Sequence, residues 1–329
     1  MKIIREDTFK ATSLVASGSN DESMANRLAR YYQKIFSKLP HNTQRAYIYD
    51  MNDFSAWCRF NTEFVLSEDA KKNEEIIEAY FDSLMLSELA LATVERRLST
   101  LSVFLEVCYW PNPMKSSKIL KEHIRLGKRA KPAKQSQATP LQSDFLTVLN
   151  DTIIPDNTLD IRDRLIVNLM YDALLRGSEL CGVEIKHVNA RANTLFLPTS
   201  KSDQKGEGSY RFVSDTTIGL INEWKEEFDI QTGSLIRALS PKQTIQKKGI
   251  NYMSVYHTFK RVGAALGLDN ISTHSTRVGA AVDMAEKNID MLSIQRSGGW
   301  HSINMPLKYT EQIQTNKAGM GQLSKINGR

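Results

Sequence analysis

The run KRAKPAKQSQATP, residues 128–140, constrains this chain more than any other segment. It is polar, carries two prolines and offers almost nothing to a hydrophobic core, which is the composition of a linker. In a chain of 329 residues it leaves a stretch on each side long enough for a domain of its own. Residues 1–20 are rich in Ser, Thr, Gly and Asn with little periodicity and read as a flexible arm. The expected organisation is an arm at 1–20, a domain at 21–127, the linker at 128–140 and a second domain at 141–329.

The first domain is helical throughout. Apolar residues recur at three- and four-residue spacing in ANRLARYYQKIF, AYIYDMNDFSAWCRF, EEIIEAYFDSLML and VERRLSTLSVFLEV, the period that lines one face of an α-helix. Breakers fall at Leu39–Thr43, Asn61–Thr62 and Pro111–Pro113. Asn42 or Thr43 is expected to cap the second helix and Thr93 the fourth.

The second domain opens on LDIRDRLIVNLMYDALL, a strongly amphipathic helix. Three short strand-like runs follow, GVEIKHV, NTLFLP and GSYRFVS, and the polar SKSDQKGEG between the last two reads as a hairpin loop. From Thr217 the helical pattern returns and continues, with turns, to the end. The fold class is mainly α: an all-helical N-terminal domain and a mostly helical C-terminal domain with a small antiparallel β-sheet.

The net charge of +6 is compatible with a polyanionic partner. Eight Lys/Arg against the single acid Glu122 between Lys115 and Lys134 concentrate that excess beside the linker, although a solvated surface face explains such a run equally well. Cys58, Cys108 and Cys181 are odd in number and lack a Cys-x-x-Cys spacing, which argues against a disulfide framework or a zinc site and for small buried thiols in a reducing compartment. No signal-peptide core and no apolar run of ~20 residues is present, so a cytoplasmic place away from membranes is expected. No phosphate-binding glycine loop and no acidic metal cluster is found, so neither cofactor nor metal is expected.

Four features of the second domain carry chemistry. Arg176, at the end of an apolar helix, is followed one turn on by Glu179; Lys201 stands at the entrance of the polar hairpin, with Lys205 further in; His274 and Arg277 lie at i and i+3; and Trp300 precedes Tyr309 by nine residues. Thr273 or Ser272 is expected to cap the helix that presents His274 and Arg277 on one face, the helix N-terminus then offering an anion site. Gly279, Ala280 and Ala281 let that helix pack closely against neighbours. Each feature alone is more often ordinary surface or packing. Together, two arginines, a His and a Trp N–H are a donor cage for the non-bridging oxygens of a phosphodiester, and Tyr309 beside that charge is an oxygen nucleophile.

In order and spacing, the set Arg176, Lys201, His274, Arg277, Trp300 and Tyr309 resembles the catalytic set of the tyrosine recombinase (integrase) family. The text HSTRVGAAVDMAEKNIDMLSIQRSGGWHSINMPLKY carries the resemblance most strongly, with YDALLRGSEL and AWCRFN supporting it. Many family members have His where this chain has Trp300; His301 follows at once, and Trp300 is preferred because it comes directly after Gly298-Gly299. The resemblance implies a metal- and ATP-independent enzyme that cuts and rejoins DNA through a 3′-phosphotyrosyl intermediate. Arg176, Arg277 and Trp300 would hold the phosphate, His274 would assist proton transfer and Lys201 would protonate the leaving oxygen. Glu179 would orient His274 or Arg176, or is a surface acid.

The implied partner is double-stranded DNA with a specific, inverted-repeat target, bound by a homotetramer on two sites. Contacts are expected from Thr43, Gln44, Arg45, Arg96 and Arg97, read as facing away from the apolar stripes, and from Lys128, Arg129 and Lys131 of the basic run. The tail Thr310–Ser324 either docks into a neighbouring subunit or folds back on its own domain. A type IB topoisomerase, a telomere-resolving enzyme and a catalytically silent DNA-binding regulator are the alternatives.

Overall fold

The computed structural model describes residues 22–61, 65–131, 137–151, 155–199 and 206–328. The chain divides into two compact units, Met1–Gln135 and Ser136–Arg329. Among the described residues no helix is long and apolar enough to cross a membrane.

The first unit comprises α1 (Glu22–Lys34), α2 (His41–Phe60), α3 (Ala70–Leu86), α4 (Leu91–Cys108), α5 (Pro113–Ser116) and α6 (Lys118–Ala130). Their apolar stripes close over one core, in which Phe54, Ile76, Ile77, Tyr80, Val94 and Leu105 are buried. Each such side chain withdrawn from water contributes about 1.5–3 kcal/mol. Cys58 and Cys108 are buried as well.

Several local expectations change here. Helices α2 and α4 start two residues before the threonines expected to cap them, with Pro40 and Ala90 at the N-caps and no side-chain cap on either. Thr43 and Thr93 therefore sit inside the first turn. Helix α6 runs on to Ala130, so the first three residues of the expected linker are helical; residues 132–136, like the arm at 1–20, lie outside the described part. Arg97 does not face away from the core. It is buried and pairs with Asp53 at 2.6 Å, and Tyr80 donates to the same carboxylate at 2.9 Å. Arg96, more open, reaches Asp50 at 2.7 Å.

The second unit contains α7 (Ser143–Asp151), α8 (Thr158–Asp172), α9 (Gly177–Leu180), α10 (Asp215–Glu227), α11 (Tyr252–Ala265), α12 (Ser275–Glu286), α13 (Met291–Gly298), α14 (Asn304–Tyr309), α15 (Glu311–Lys317) and α16 (Gly319–Ile326). Strands β1 (Val188–Asn189), β2 (Thr194–Leu197) and β3 (Ser209–Phe212) form an antiparallel sheet in sequence order, with Leu195 opposite Arg211. GVEIKHV supplies less strand than its pattern indicates: Ile185–His187 is a 3-10 turn and only Val188 joins β1. A second hairpin, β4 (Arg237–Leu239) with β5 (Ile245–Gly249), interrupts the stretch after Thr217 that reads as helical. The β5 run IQKKG alternates too weakly to announce itself.

Side chains fix the helix starts. Asn157 caps α8 by accepting from the N–H groups of Leu159 and Asp160, and Ser214 caps α10 through Thr217. Such a cap is typically worth ~1 kcal/mol. Helix α8 crosses the main core, which includes Leu165, Ile166, Leu169, Leu195, Trp224 and Phe259. A smaller cluster of Leu174, Ala280, Ala281, Ile294 and Trp300, with Tyr309 packed against it, underlies the site described next.

Candidate active site

The site is assembled from the ends of elements. Helix α8 stops at Asp172, whose carboxylate accepts from the Ser214 N–H at 2.8 Å and its hydroxyl at 2.5 Å. Leu174 then adopts φ 46°, a conformation that costs a non-glycine residue about 1–3 kcal/mol and persists only where surroundings enforce it. Here Arg277 enforces it by donating through Nη1 to the Leu174 carbonyl. The reversal delivers Arg176 to the N-cap of α9 rather than to the end of α8. From there Arg176 Nη1 meets Glu179 Oε1 at 2.5 Å, and Glu179 Oε2 accepts from the Arg176 N–H at 2.8 Å. Glu179 is thus a buried partner of Arg176 and not a surface acid.

Helix α12 brings the next pair. Its N-cap is His274 itself, without a side-chain cap. Ser272, one of the two expected caps, instead accepts from the His274 N–H at 3.2 Å. The small face of the helix works as its composition indicates: a Cβ on Gly279 would collide with the main chain of Leu141, whose N–H donates to the Ser275 carbonyl at 2.9 Å. His274 presents its ring at the surface, in surroundings dense enough that desolvation lowers its pKa, with Arg277 and then Arg176 lowering it further. The imidazole is therefore neutral and able to accept a proton near pH 7.

Arg277 is the hub. Only 1% exposed, it donates to Leu174 and, through Nη2, to the Gly298 carbonyl at 3.1 Å. Its guanidinium lies 4.8 Å from the centre of the Trp300 ring. Burial and Arg176 push its pKa down to about 10, Glu179 and Tyr309 pulling the other way, so it keeps its charge at neutral pH. Trp300 is buried beneath it, whereas His301 is exposed; Trp300 is the member of the cluster. Helix α13 ends at Gly299 in the left-handed region, φ 58°, which glycine adopts without a Cβ penalty, and this turn aims Trp300 inward. The Tyr309 ring sits 5.8 Å from that of Trp300. Burial raises the Tyr309 pKa, and Arg277 and Arg176 oppose the rise. The phenol is protonated at rest, and positive charge supplies the pull that favours phenolate.

Six residues singled out in the sequence, Arg176, Glu179, His274, Arg277, Trp300 and Tyr309, thus come together. Lys201 and Lys205 lie outside the described residues. Two neighbours escape a motif-based reading. The Tyr252 ring packs on Gly177, with its hydroxyl 3.4 Å from Thr273 Oγ1. Arg211, on β3, is buried against Gly299. The signal for Arg211 was a lone charge between two aromatics in GSYRFVS, which alternation alone would have turned outward.

This geometry has counterparts. Residues 140–315, just over half of the chain, match the model of the phage integrase family. The chain belongs to that family. Similar curated proteins include an integrase/recombinase xerD homolog of Selenomonas ruminantium, 25% identical over 89% of this chain and 87% of its own. Recombinase cre of Escherichia phage P1 is 22% identical over 94% and 95%. Among solved structures, XerH recombinase in a post-cleavage complex with a palindromic difH substrate covers 97% of this chain and 92% of its own, with a TM-score of 0.62 at 17% identity. A lambda integrase dimer bound to a core site covers 87% and 94%, with a TM-score of 0.54 at 18% identity. These structures share the mainly α fold with its small antiparallel sheet.

Proposed function

We propose that the chain is a site-specific DNA recombinase that cleaves and rejoins strands through Tyr309, without metal or ATP. The observation that carries this reading is Tyr309 packed on Trp300, with Arg277 over that ring and Arg176 adding to the positive charge on its phenol. A phosphodiester at that point gains negative charge as it becomes pentacoordinate. Fixed donors in a partly dry site stabilise that charge at no cost in reorganisation.

Tyr309 Oη attacks the phosphorus and gives up its proton, for which neutral His274 is an acceptor. A 3′-phosphotyrosyl bond forms, the bond to the 5′-oxygen breaks, and that oxygen takes up a proton. Lys201 is assigned as the donor of that proton. Attack by the 5′-hydroxyl of a partner strand reverses the step, and bond energy is conserved. Glu179 orients Arg176.

The partner is duplex DNA with an inverted-repeat site, as fits relatives whose structures contain a palindromic substrate or a core site. Exposed Arg45 and Arg129, with Thr43, Gln44, Arg96 and Lys128, are assigned to DNA contacts. We assign a homotetramer on two sites as the working assembly. Helix α16 supports this: it leaves Met320, Leu323 and Ile326 exposed, while α15 tucks Ile313 against the site's apolar cluster. A cytoplasmic place fits this activity.

The test is covalent capture on duplexes that the protein selects from a randomised inverted-repeat pool. The wild-type chain should form a denaturant-resistant protein–DNA adduct. Tyr309→Phe should form none while binding the same duplex within about twofold, since only the nucleophilic oxygen is lost. Adduct formation by Tyr309→Phe would exclude this nucleophile. Relaxation of supercoiled plasmid without a specific site would instead favour a topoisomerase.

A further inference from the structure

Three helix starts converge beside the site. Helix α9 begins at Gly177, directly after Arg176 at its N-cap, and α12 begins directly after His274 at its N-cap. The third, α11, begins at Tyr252, after Asn251, whose side chain accepts from the Ser254 N–H at 2.9 Å.

Gly177 is buried, and its backbone is not in the left-handed region. Conformation therefore does not call for glycine there, and glycine is a poorer helix former than alanine. Space calls for it. A Cβ at Gly177 would stand 2.9 Å from Cε2 and 3.2 Å from Cδ2 of Tyr252, and 3.4 Å from Cβ of Thr273. The Tyr252 ring and Thr273 thus close on one point of the main chain, at the residue that follows Arg176.

The Tyr252 hydroxyl also lies 3.4 Å from Thr273 Oγ1. Hydroxyl hydrogen bonds are strong at about 2.5–3.0 Å, so the tie is made mainly by the ring. Thr273, 7% exposed, immediately precedes His274. Tyr252 itself is not there to fill the core. It is 49% exposed and, among the described residues, belongs to neither apolar cluster of the second unit.

We propose that Tyr252 is a positioning residue of the phosphate site, whose ring clamps the Arg176–Gly177 turn to the Thr273–His274 turn. The clamp sets the spacing of the guanidinium and the imidazole around one phosphodiester. The proposal rests on the recombinase reading. Each functional group stands next in the chain to a clamped residue, so a shift of either turn is passed directly to it. A displacement of ~1 Å of a group aligned for reaction costs about 10²-fold in rate. Tyr252 does not touch the phosphate in this account; it acts through the two turns.

The test is a double-mutant cycle between Tyr252 and Gly177, on a nicked suicide duplex carrying the site that the wild-type protein selects. Three quantities are read for each protein: duplex Kd, single-turnover adduct rate at saturating protein, and thermal midpoint. Tyr252→Ala should slow adduct formation by about 10–100-fold, the scale of a misplaced reacting group, with Kd nearly unchanged. Tyr252→Phe keeps the ring and should recover most of that loss. Gly177→Ala drives its methyl into the ring and should slow adduct formation by about tenfold, as a shift of a few tenths of an ångström would. Beside Tyr252→Ala that ring is gone, so Gly177→Ala should then add less than about twofold.

A well-folded Tyr252→Ala protein with the wild-type rate would overturn the proposal. So would an additive cycle, or a loss in Tyr252→Phe as large as in Tyr252→Ala, which would give the role to the hydroxyl. A Kd that weakens in step with the rate would make Tyr252 a DNA contact and reject the clamp. Should Gly177→Ala not fold, the comparison of Tyr252→Ala with Tyr252→Phe decides alone. If the wild-type chain forms no Tyr309-dependent adduct, the recombinase reading fails, and the proposal with it. If that adduct forms and Tyr252→Ala leaves its rate unchanged, only the role of Tyr252 is rejected.

Discussion

In the first unit, buried Arg97 has the carboxylate of Asp53 at 2.6 Å, and Arg96 reaches Asp50 at 2.7 Å. In the second, Arg176 meets Glu179 at 2.5 Å, while buried Arg277 donates to the carbonyls of Leu174 and Gly298 and buried Arg211 to that of Tyr210. The first arrangement closes its charge locally and pins α2 to α4. The second leaves charge unspent beside a tyrosine. The number of arginines therefore says little about function, and their pairing says much. Excess alone is still insufficient: Arg162 and Arg261 share Asp163 in the second unit, where Thr258 also donates to it, and that network has no nucleophile to serve.

The most severe way to break the comparison is to exchange the consequences. Arg277→Ala removes a fixed charge from the phosphate and should lower the adduct rate at saturating DNA by about 10²–10³-fold, the loss seen when one preorganised donor is deleted. Arg97→Met should leave that rate within about twofold and instead destabilise the first unit by about 1–3 kcal/mol. That is less than a fully buried pair would cost, because Asp53 is partly open to water. Paired single-turnover cleavage and denaturant titration measure both. If Arg97→Met slows chemistry as much as Arg277→Ala does, paired and unpaired arginines are not functionally distinct here.

A smaller effect follows from His274. Its pKa lies below the ordinary histidine value, so the imidazole is neutral near pH 7 and the adduct rate should be flat there. As pH falls through the lowered pKa, protonation removes the acceptor for the Tyr309 proton and adds a like charge beside Arg277 and Arg176. The rate should then drop by up to about tenfold per pH unit. His274→Gln should be slow at all pH values and should lack this acid limb. An acid limb unchanged in His274→Gln would assign the titration to another group.

The same contrast explains what was legible in the sequence. Periodicity reveals helices because a buried stripe repeats, and the order and spacing of Arg176, His274, Arg277, Trp300 and Tyr309 located the site before any geometry. Caps were less legible. Thr43, Thr93 and Thr273 have the chemistry to cap, but Pro40, Ala90 and His274 hold the positions, because packing of the helix faces sets the starts and a missing cap costs only about 1 kcal/mol. The β4–β5 hairpin was hidden because a short, weakly alternating strand is held by its partner rather than by its own pattern. Arg97 and Arg211 were misplaced or missed for one shared reason. A sequence assigns an arginine to the surface unless it shows the place that receives it, and here those places lie 44 and 88 residues away along the chain, at Asp53 and Gly299.

The smallest predicted effect separates two neighbours in the basic run. Lys131 Nζ lies 2.8 Å from the Ser87 carbonyl and 3.2 Å from that of Leu84, at the C-terminal end of α3. A cation there satisfies orphan carbonyls and complements the helix dipole, worth about 0.3–1 kcal/mol. Arg129 is exposed one helical residue from the end of α6, with Glu122 the acid it influences. Lys131 is therefore committed to the fold and Arg129 is available to a phosphate. Neutralising one phosphate contact should reduce the slope of log affinity against log salt by about 0.9. Arg129→Ala should show that reduction with little change in stability. Lys131→Ala should keep the wild-type slope and lose a fraction of a kcal/mol in denaturant titration. If Lys131→Ala shows the slope change and Arg129→Ala does not, the lysine leaves its cap when DNA binds, and pairing in the free protein does not predict which charges are spent on DNA.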